Sequence, residues 1–368
     1  MKKIAYLLGS LNRGGTETLM LDVFRNAKAN QLEAIGIYRK TGAFENEFIS
    51  SGMTLFFLPV TNLVSYIIRL RGILNYHKID IAHAQQPIDA LFALFACLFT
   101  KTKVILTLHG YDFSESSISV LLLKGILKCT FLNIYVSNSL KSYYTEKYKL
   151  QNDKQKTIYN GIGFEKFKSK NSSTSKDDLK IAADCFLLGT VGNFVTGRNQ
   201  MSICKFLVEL QHQNIPFHFL FVGKRNELSP ERYDDCVRYI SLHGLSDRVH
   251  FLGSRNDVPD LLKLLDAFIY ATDHDTFGIA VVEAMACGIP VFVNDWEVMC
   301  EITENGDLAT LYKTNDEKDL FRQFSLFLHN KEAYIAKAQK AANVVNSKYS
   351  IEKHIHALKK LYRQVLLS

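Results

Sequence analysis

Short apolar runs alternate with amphipathic helical patterns twice along this chain of 368 residues. The first series extends from a strand predicted at 3–8 to one at 156–158, and the second from a strand at 186–192 to one at 291–293. Strands that alternate with helices in this way form βαβ units around a parallel sheet. We therefore predict an α/β fold of two Rossmann-like domains facing a cleft, with ligands at the carboxyl ends of the strands.

The segment between the two series, residues 166–184, is largely polar and of low complexity, which predicts a linker or an exposed excursion. It separates an N-terminal domain at 1–165 from a C-terminal domain at 185–349. A basic segment follows at 350–368, with apolar residues at helical spacing.

The composition, 47% hydrophobic and 22% charged, is that of a soluble globular protein. The longest apolar run, 90–100, ends at Lys101 and is shorter than the roughly 20 residues of a membrane-spanning helix, so it predicts a buried helix. The apolar stretch at the start is too short for a signal peptide and predicts a buried strand. Seven scattered cysteines without a C-x-x-C pair argue against a disulfide framework or a zinc site, and a cytoplasmic protein is expected.

The positive charge is concentrated at the two ends of the chain. Residues 1–168 carry 21 Lys and Arg against 12 Asp and Glu, whereas residues 169–349 carry 19 against 24. A basic domain suggests an anionic partner, such as a membrane surface or a lipid phosphate. Segments 65–78 and 120–128 pair an apolar stripe with cations, which suits either anionic lipid or the outer helices of any α/β domain. Nucleic acid is not predicted, because no binding motif or aromatic platform is present.

The segment 275–291 carries the most specific chemical pattern. Asp275 and Glu283 lie eight residues apart around Gly278, and small or apolar residues that suit a helix follow. Unpaired N–H groups at a helix start bind anions, because the donors and the positive end of the helix dipole point the same way. A phosphate there would leave Glu283 beside a ribose and Asp275 beside the group that the phosphate carries. The structural alternative is a buried helix that feeds a strand, with Glu283 as a helix-terminal carboxylate.

Residues 283–291, Glu-Ala-Met-Ala-Cys-Gly-Ile-Pro-Val, closely resemble the E-x7-E motif of the family-4 retaining glycosyltransferases, which have the GT-B fold. The resemblance implies that Glu283 binds the ribose and Asp275 the hydroxyls of the donor sugar. It places the diphosphate on the loop and helix start that comprise Phe277, Gly278, Ile279 and Ala280. The shorter Asp275 in place of the first glutamate is a departure from the motif.

Further segments match landmarks of the same family. Gly14 and Gly15 follow the first strand, where the family's G-G-x-E lines the cleft, although an ordinary βα turn has the same pattern. His109 ends a strand at the position where the family has a histidine near the donor sugar and pyrophosphate. A structural histidine is equally common at such a place, and His83 is a weaker candidate. The resemblance also implies that the helix at 350–368 crosses back onto the first domain.

Two cations are expected to face the diphosphate, because Arg offers a bidentate fork to phosphate. In the family pattern V-G-R-x-x-x-x-K, Asn193 replaces the arginine here and Arg198 replaces the lysine. Arg13 or Arg255 could supply the lost charge, or Asn193 could act as a neutral donor. The block that begins at Phe251 resembles the family segment that holds the base, and Asp257 is predicted to be a helix N-cap.

We therefore predict an enzyme, a retaining hexosyltransferase that transfers a sugar from a nucleoside diphosphate to a glycan or lipid-linked acceptor. UDP is the expected nucleotide of the donor, because it is the most common one. Surface polysaccharide or lipopolysaccharide synthesis is the expected pathway class. No metal or other cofactor is required. A cytoplasmic enzyme that is peripheral on the inner face of the membrane fits the basic domain. A non-catalytic nucleotide-sugar-binding relative or partner subunit is the alternative, and a sugar-nucleotide epimerase fits less well.

Overall fold

The computed structural model describes residues 2–113, 116–168, 176, 181 and 185–367. The chain forms two compact units. The first comprises the residues up to Gly163 together with those from Tyr349 onward, and the second comprises Phe164–Lys348. Most of the predicted linker, 166–184, lies outside the described residues, but its first residues belong to a short helix rather than to extended chain.

The first unit is a seven-stranded parallel sheet covered by helices. Its strands are β1 (Lys3–Ser10), β2 (Glu33–Lys40), β3 (Thr54–Phe57), β4 (Ile81–Ala84), β5 (Lys103–Leu108), β6 (Leu132–Tyr135) and β7 (Gln155–Thr157). Its connecting helices are α1 (Gly15–Ala27), α2 (Glu45–Ser50), α3 (Leu63–Tyr76), α4 (Pro87–Ala96), α5 (Ser117–Cys129) and α6 (Asn138–Tyr148). The strand order is β3-β2-β1-β4-β5-β6-β7, with every pair parallel.

The second unit repeats this architecture with six parallel strands. They are β8 (Phe186–Val191), β9 (Phe217–Val222), β10 (Val249–Gly253), β11 (Ala267–Tyr270), β12 (Val291–Asn294) and β13 (Thr310–Tyr312). The helices are α7 (Glu165–Lys168), α8 (Gln200–His212), α9 (Glu231–Leu242), α10 (Val258–Leu264), α11 (Ile279–Ala286), α12 (Glu297–Ile302), α13 (Glu317–His329) and α14 (Lys331–Lys348). The strand order is β10-β9-β8-β11-β12-β13.

The last helix, α15 (Ile351–Leu367), belongs to the core of the first unit. Its apolar residues recur at helical spacing, and Ile355 and Leu358 pack in the same buried cluster as Leu19 and Phe24 of α1. Ile351 N–H also donates to the Ile162 carbonyl, which ties the start of α15 to the chain that follows β7. One amphipathic helix therefore covers part of this sheet from the far end of the chain.

Both sheets reverse their strand order beside their first strand, between β1 and β4 and between β8 and β11. At such a switch point the chain leaves neighbouring strands in opposite directions, which opens a crevice at their carboxyl ends. The predicted class of two Rossmann-like parallel-sheet units is thereby confirmed. Along the described parts of the chain, every helix is too short or too polar to cross a bilayer.

Candidate active site

The switch point of the second unit brings together two loops that are far apart in sequence. Arg198 ends the loop after β8, and Asp275 lies in the loop after β11. Arg198 forms an isolated antiparallel bridge with Thr272, and the Asn199 N–H donates to the carbonyl of Ala271. The two loops are thus joined by main-chain hydrogen bonds before any side chain contributes.

Arg198, Asp275 and Tyr270 form a compact polar cluster at this point. Arg198 Nη1 lies 2.5 Å from Asp275 Oδ2, and the Tyr270 hydroxyl donates to the same oxygen at 2.6 Å. The backbone N–H of Thr276 donates to Oδ1 at 2.9 Å. The guanidinium carbon of Arg198 is also 4.9 Å from the Tyr270 ring centroid, a cation–π distance. The predicted phosphate cation, Arg198, and the predicted sugar-binding residue, Asp275, therefore bind each other directly.

These contacts determine the charge state of the cluster. Burial alone would raise the pKa of the Asp275 carboxyl, but Arg198 and the hydrogen bonds to the carboxylate outweigh it and hold the pKa below its usual value. Burial raises the pKa of Tyr270 well above its ordinary value, so its hydroxyl keeps its proton. Asp275 is consequently an ionised acceptor and Tyr270 a neutral donor.

The start of α11 is shaped by Gly278. This residue is the N-cap and has φ +78°, in the left-handed region that favours glycine. Its carbonyl accepts from Val281 and Val282, so the preceding helical N–H groups, those of Ile279 and Ala280, have no acceptor within the helix. Phe277 is buried and anchors the loop. The N–H groups of Ile279 and Ala280 are among those that the sequence assigns to a bound anion.

Glu283 lies in the middle of α11, with its side chain 11% exposed. Its Oε1 is 2.8 Å from Nζ of Lys166, which lies on α7. Sequence reasoning assigned residue 166 to the linker and missed this contact. The two residues are 117 positions apart, and no local pattern connects them.

Asn193 and Arg255 both have partners within the second unit. Asn193 Oδ1 accepts from the backbone N–H of Lys224 at 3.0 Å, which ties the β8 loop to the chain after β9. Arg255 forms a two-point ion pair with Asp257, with distances of 2.8 and 2.6 Å. Asp257 does occupy the N-cap position of α10, but its carboxylate binds Arg255 instead of a helix N–H. Asn199, by contrast, caps α8 through the N–H of Ser202.

Gly14 and Gly15 lie at the switch point of the first unit, where β1 runs into α1. Gly14 is the N-cap, and its carbonyl accepts from Thr18. A Cβ on Gly14 would lie 2.5 Å from Oε2 of Glu17, so glycine leaves room for this carboxylate over the helix start. Burial raises the pKa of Glu17.

His109 follows β5 and is half-buried, with Nε2 2.9 Å from Oε1 of Gln85. Burial, aided by the charge of nearby His354, lowers the pKa of His109 to about 3, so the imidazole is neutral near pH 7. His83 is fully buried, and its ring nitrogens bond Tyr362 at 2.6 Å and Thr107 at 2.7 Å. Its hydrogen-bonding capacity is thus used inside the protein, and His83 is a structural residue.

Comparison with protein-family models identifies the family to which the chain belongs. A model described as Glycosyl transferases group 1 matches residues 171–344, and one described as Glycosyltransferase Family 4 matches residues 13–166. The chain belongs to the family-4 glycosyltransferases. The predicted family and the predicted enzyme class are therefore confirmed.

Two relatives with named activities are distant in sequence, but each alignment extends over most of this glycosyltransferase. The N-acetyl-alpha-D-glucosaminyl L-malate synthase of Bacillus anthracis is 25% identical over 305 residues, which cover 81% of this chain and 78% of that protein. The UDP-Gal:alpha-D-GlcNAc-diphosphoundecaprenol alpha-1,3-galactosyltransferase of Escherichia coli is 23% identical, and the alignment covers 100% of this chain and 98% of that protein.

The crystal structure of Anabaena HepE in complex with UDP and glucose matches this transferase with a TM-score of 0.87. The match has 19% identity and covers 99% of this chain and 100% of that one. At this identity the likeness establishes the shared GT-B fold.

Within its second unit, the glycosyltransferase therefore assembles Arg198 and the segment 275–283, which contains Asp275, the start of α11 and Glu283, from two separate stretches of sequence. Tyr270 contacts Arg198 and Asp275, and Lys166 contacts Glu283. Sequence reasoning assigned neither Tyr270 nor Lys166 a role. Tyr270 ends a predicted buried strand, where an aromatic residue normally signals core packing. Across the described residues, no group of three or more His, Cys, Asp or Glu side chains is arranged to hold a metal ion.

Proposed function

We propose that this transferase moves a hexose with retention of anomeric configuration from a UDP-sugar to a lipid-linked or lipopolysaccharide-type glycan. The observation that carries the proposal is the meeting of Arg198 and Asp275 at the switch point of the second unit, beside the N-terminus of α11. This arrangement offers a cation, free backbone donors and a carboxylate to one small ligand.

In this proposal the diphosphate lies on the N–H groups of Gly278, Ile279 and Ala280, where the helix dipole favours negative charge. Arg198 turns part of its guanidinium from Asp275 to a phosphate oxygen, because a guanidinium binds phosphate as well as carboxylate through two parallel hydrogen bonds. Asp275 then accepts hydroxyl groups of the donor sugar, and Glu283 accepts those of the ribose. Asn193 and Arg255 remain predicted to flank this ligand, and the roles of Gly14, Gly15 and His109 remain predictions from the sequence.

The proposed reaction uses the leaving group as its own base. The acceptor hydroxyl attacks the anomeric carbon from the face that the diphosphate leaves, as the bond between that carbon and the phosphate oxygen breaks. The electron pair of this bond goes to the phosphate oxygen, which takes the proton of the acceptor hydroxyl. Arg198 and the N–H groups at the start of α11 stabilise the charge that develops on the diphosphate.

The choice of UDP is supported by the HepE complex with UDP and glucose and by the Escherichia coli relative, whose name specifies UDP-Gal. The same relative names a diphosphoundecaprenol acceptor, and a Rhizobium meliloti relative, 26% identical over 125 residues, is named as a lipopolysaccharide core mannosyltransferase. These names support an acceptor that is anchored in a membrane.

A surface of the first unit supports membrane attachment, which we include in the proposal. α4 packs between α3 and α5, and the three helices expose large apolar side chains. The most exposed of these are Val64, Ile68, Tyr76, Ile118 and Leu121, and Phe99, shortly after α4, is exposed as well. α3 and α5 contain arginine or lysine but no carboxylate, and the single carboxylate of α4, Asp89, is buried against Arg39. An apolar surface with only positive charge suits anionic lipid on the inner face of the membrane.

The donor site can be tested with the single tryptophan of the chain, Trp296, whose ring lies 5.9 Å from that of His274 next to Asp275. Its fluorescence should change on titration with UDP or a UDP-sugar, and this response should be absent in Glu283→Ala. Asp275→Ala should cut acceptor-dependent release of UDP far more than it weakens UDP binding. Equal losses in both would contradict the role of Asp275.

Retention of configuration is read from the linkage of the product by NMR, and an inverted linkage would refute the proposed mechanism.

Membrane attachment is tested by flotation with anionic liposomes at low and high salt. Leu121→Asp should reduce binding, whereas Leu242→Asp, an equally exposed change on α9 of the second unit, should not. Binding that is insensitive to both salt and Leu121→Asp would exclude this surface.

A further inference from the structure

Lys166 and Glu283 form an ion pair that the proposed reaction does not use. Lys166 lies on α7, which begins just after the chain enters the second unit, and α7 packs against α10. Its Nζ is 2.8 Å from Glu283 Oε1, and the side chains of Lys166 and Glu283 are 38% and 11% exposed. The carboxylate is therefore mostly enclosed, and its cation reaches it from the solvent side.

The surroundings of Glu283 explain why such a partner matters. Its neighbours on α11 are apolar, and Val282 and Ala284 are fully buried. An ionised carboxylate in such a place is costly unless it is paired or hydrogen-bonded. A lysine at 2.8 Å offsets this cost and also restricts the carboxylate to one orientation.

We propose that Lys166 is a positioning residue of the nucleotide site, which holds the Glu283 carboxylate in the orientation that receives the two ribose hydroxyls. The inference rests on the proposed function. A carboxylate offers about four lone-pair sites, so one bond from Lys166 leaves enough acceptors for both hydroxyls. Lys166 acts through Glu283 and needs no contact with the nucleotide.

The same pair balances the charge of the candidate site. Arg198 is paired with Asp275, and Lys166 with Glu283, so the two carboxylates do not repel an incoming diphosphate with uncompensated charge. Without Lys166, both nucleotides would lose this charge compensation to the same extent, whereas only UDP would lose the oriented acceptor for its ribose hydroxyls. Removal of Lys166 should therefore damage ribose recognition most strongly.

The test measures how much the ribose hydroxyls contribute to nucleotide affinity in each variant. Calorimetry gives the Kd of UDP and of 2′,3′-dideoxy-UDP for the wild-type chain, Lys166→Met, Lys166→Arg and Glu283→Gln. Wild-type protein should prefer UDP, and Lys166→Met should reduce this preference about tenfold, the magnitude of one charge-assisted hydrogen bond. Lys166→Arg should restore most of the preference. The matched control is Lys348→Met, which breaks a similar lysine–glutamate pair in the same unit, with Glu304 at 2.9 Å. This variant should leave the preference for UDP unchanged.

The outcomes separate this inference from the proposed function. A wild-type chain that binds neither nucleotide would overturn both. If wild-type protein prefers UDP and Glu283→Gln loses the preference while Lys166→Met keeps it, the role of Lys166 is refuted and the nucleotide site stands. An equal loss of affinity for both nucleotides in Lys166→Met would also refute it, because a direct phosphate contact or a damaged fold affects both alike. Adding Lys166→Met to Glu283→Gln should cause no further loss of preference.

Discussion

Replacement of Arg198 by methionine is the sharpest test of how the site is built. It removes the cation that lies 2.5 Å from Asp275 and leaves the carboxylate, whose side chain is 11% exposed, without its ion-pair partner. Loss of one member of a fully buried pair costs about 3–5 kcal/mol. Because Arg198 is itself 24% exposed, and Tyr270 and Thr276 still donate to Asp275, we expect a loss of about 2 kcal/mol at neutral pH.

The pH dependence of this loss follows from the pKa of Asp275. In the wild type, burial raises this pKa, but Arg198 and the hydrogen bonds lower it more, so the group stabilises the fold above its unfolded pKa of about 3.9. That stability is lost as the pH falls through the lower folded pKa. Without Arg198 we expect burial to prevail, so that the ionised carboxylate destabilises the variant. The deficit of Arg198→Met should therefore be largest near neutral pH and shrink toward about pH 4.

Thermal unfolding followed by calorimetry between neutral pH and about pH 4 checks this prediction. For a unit of this size, about 2 kcal/mol corresponds to a lower Tm by roughly 4–8 °C. Asp275→Asn in the Arg198→Met background should recover most of the loss. Arg225→Met, which breaks the solvent-exposed pair with Asp234, should leave Tm almost unchanged. A deficit that is equal at every pH and is not recovered by Asp275→Asn would refute the reasoning.

Three further predictions follow from single residues. Burial, together with the charges of nearby His109 and His354, lowers the pKa of His83 to about 3, so the unfolded chain binds a proton that the folded one does not. Stability of the first unit should fall as the pH drops from about 6.5 toward 3, and His83→Gln should flatten this slope in thermal melts. Gly278→Ala should cost about 1–2 kcal/mol and weaken UDP binding in calorimetry, because φ is +78°. Unchanged UDP affinity would argue against a phosphate at this helix start. Tyr270→Phe keeps the ring below Arg198 but removes the hydroxyl that donates to Asp275, so kcat should fall while the Kd of UDP stays nearly constant.

Local patterns were sufficient for most of the fold. The apolar run at residues 217–222 predicts β9 from end to end, and the small apolar residues from Ile279 predict α11 to within a residue. Such elements follow from the repeat of buried positions and from turn residues beside them. The short elements α2, α12 and β13 were missed, because three to six residues contain too few repeats to define a period.

The candidate site shows the same division between local and long-range information. Sequence alone identified Gly278, Glu283, Arg198 and Asp275 as a group, because their spacing resembles a family motif, but it could not pair them. Arg198 meets Asp275 because β8 and β11 are neighbours in the sheet, although 77 residues separate the two side chains. Lys166 reaches Glu283 across 117 residues by the packing of helices around that sheet. The type and spacing of the candidate residues can be read from the local sequence. Which charges pair depends on strand order, and only long-range packing decides that order.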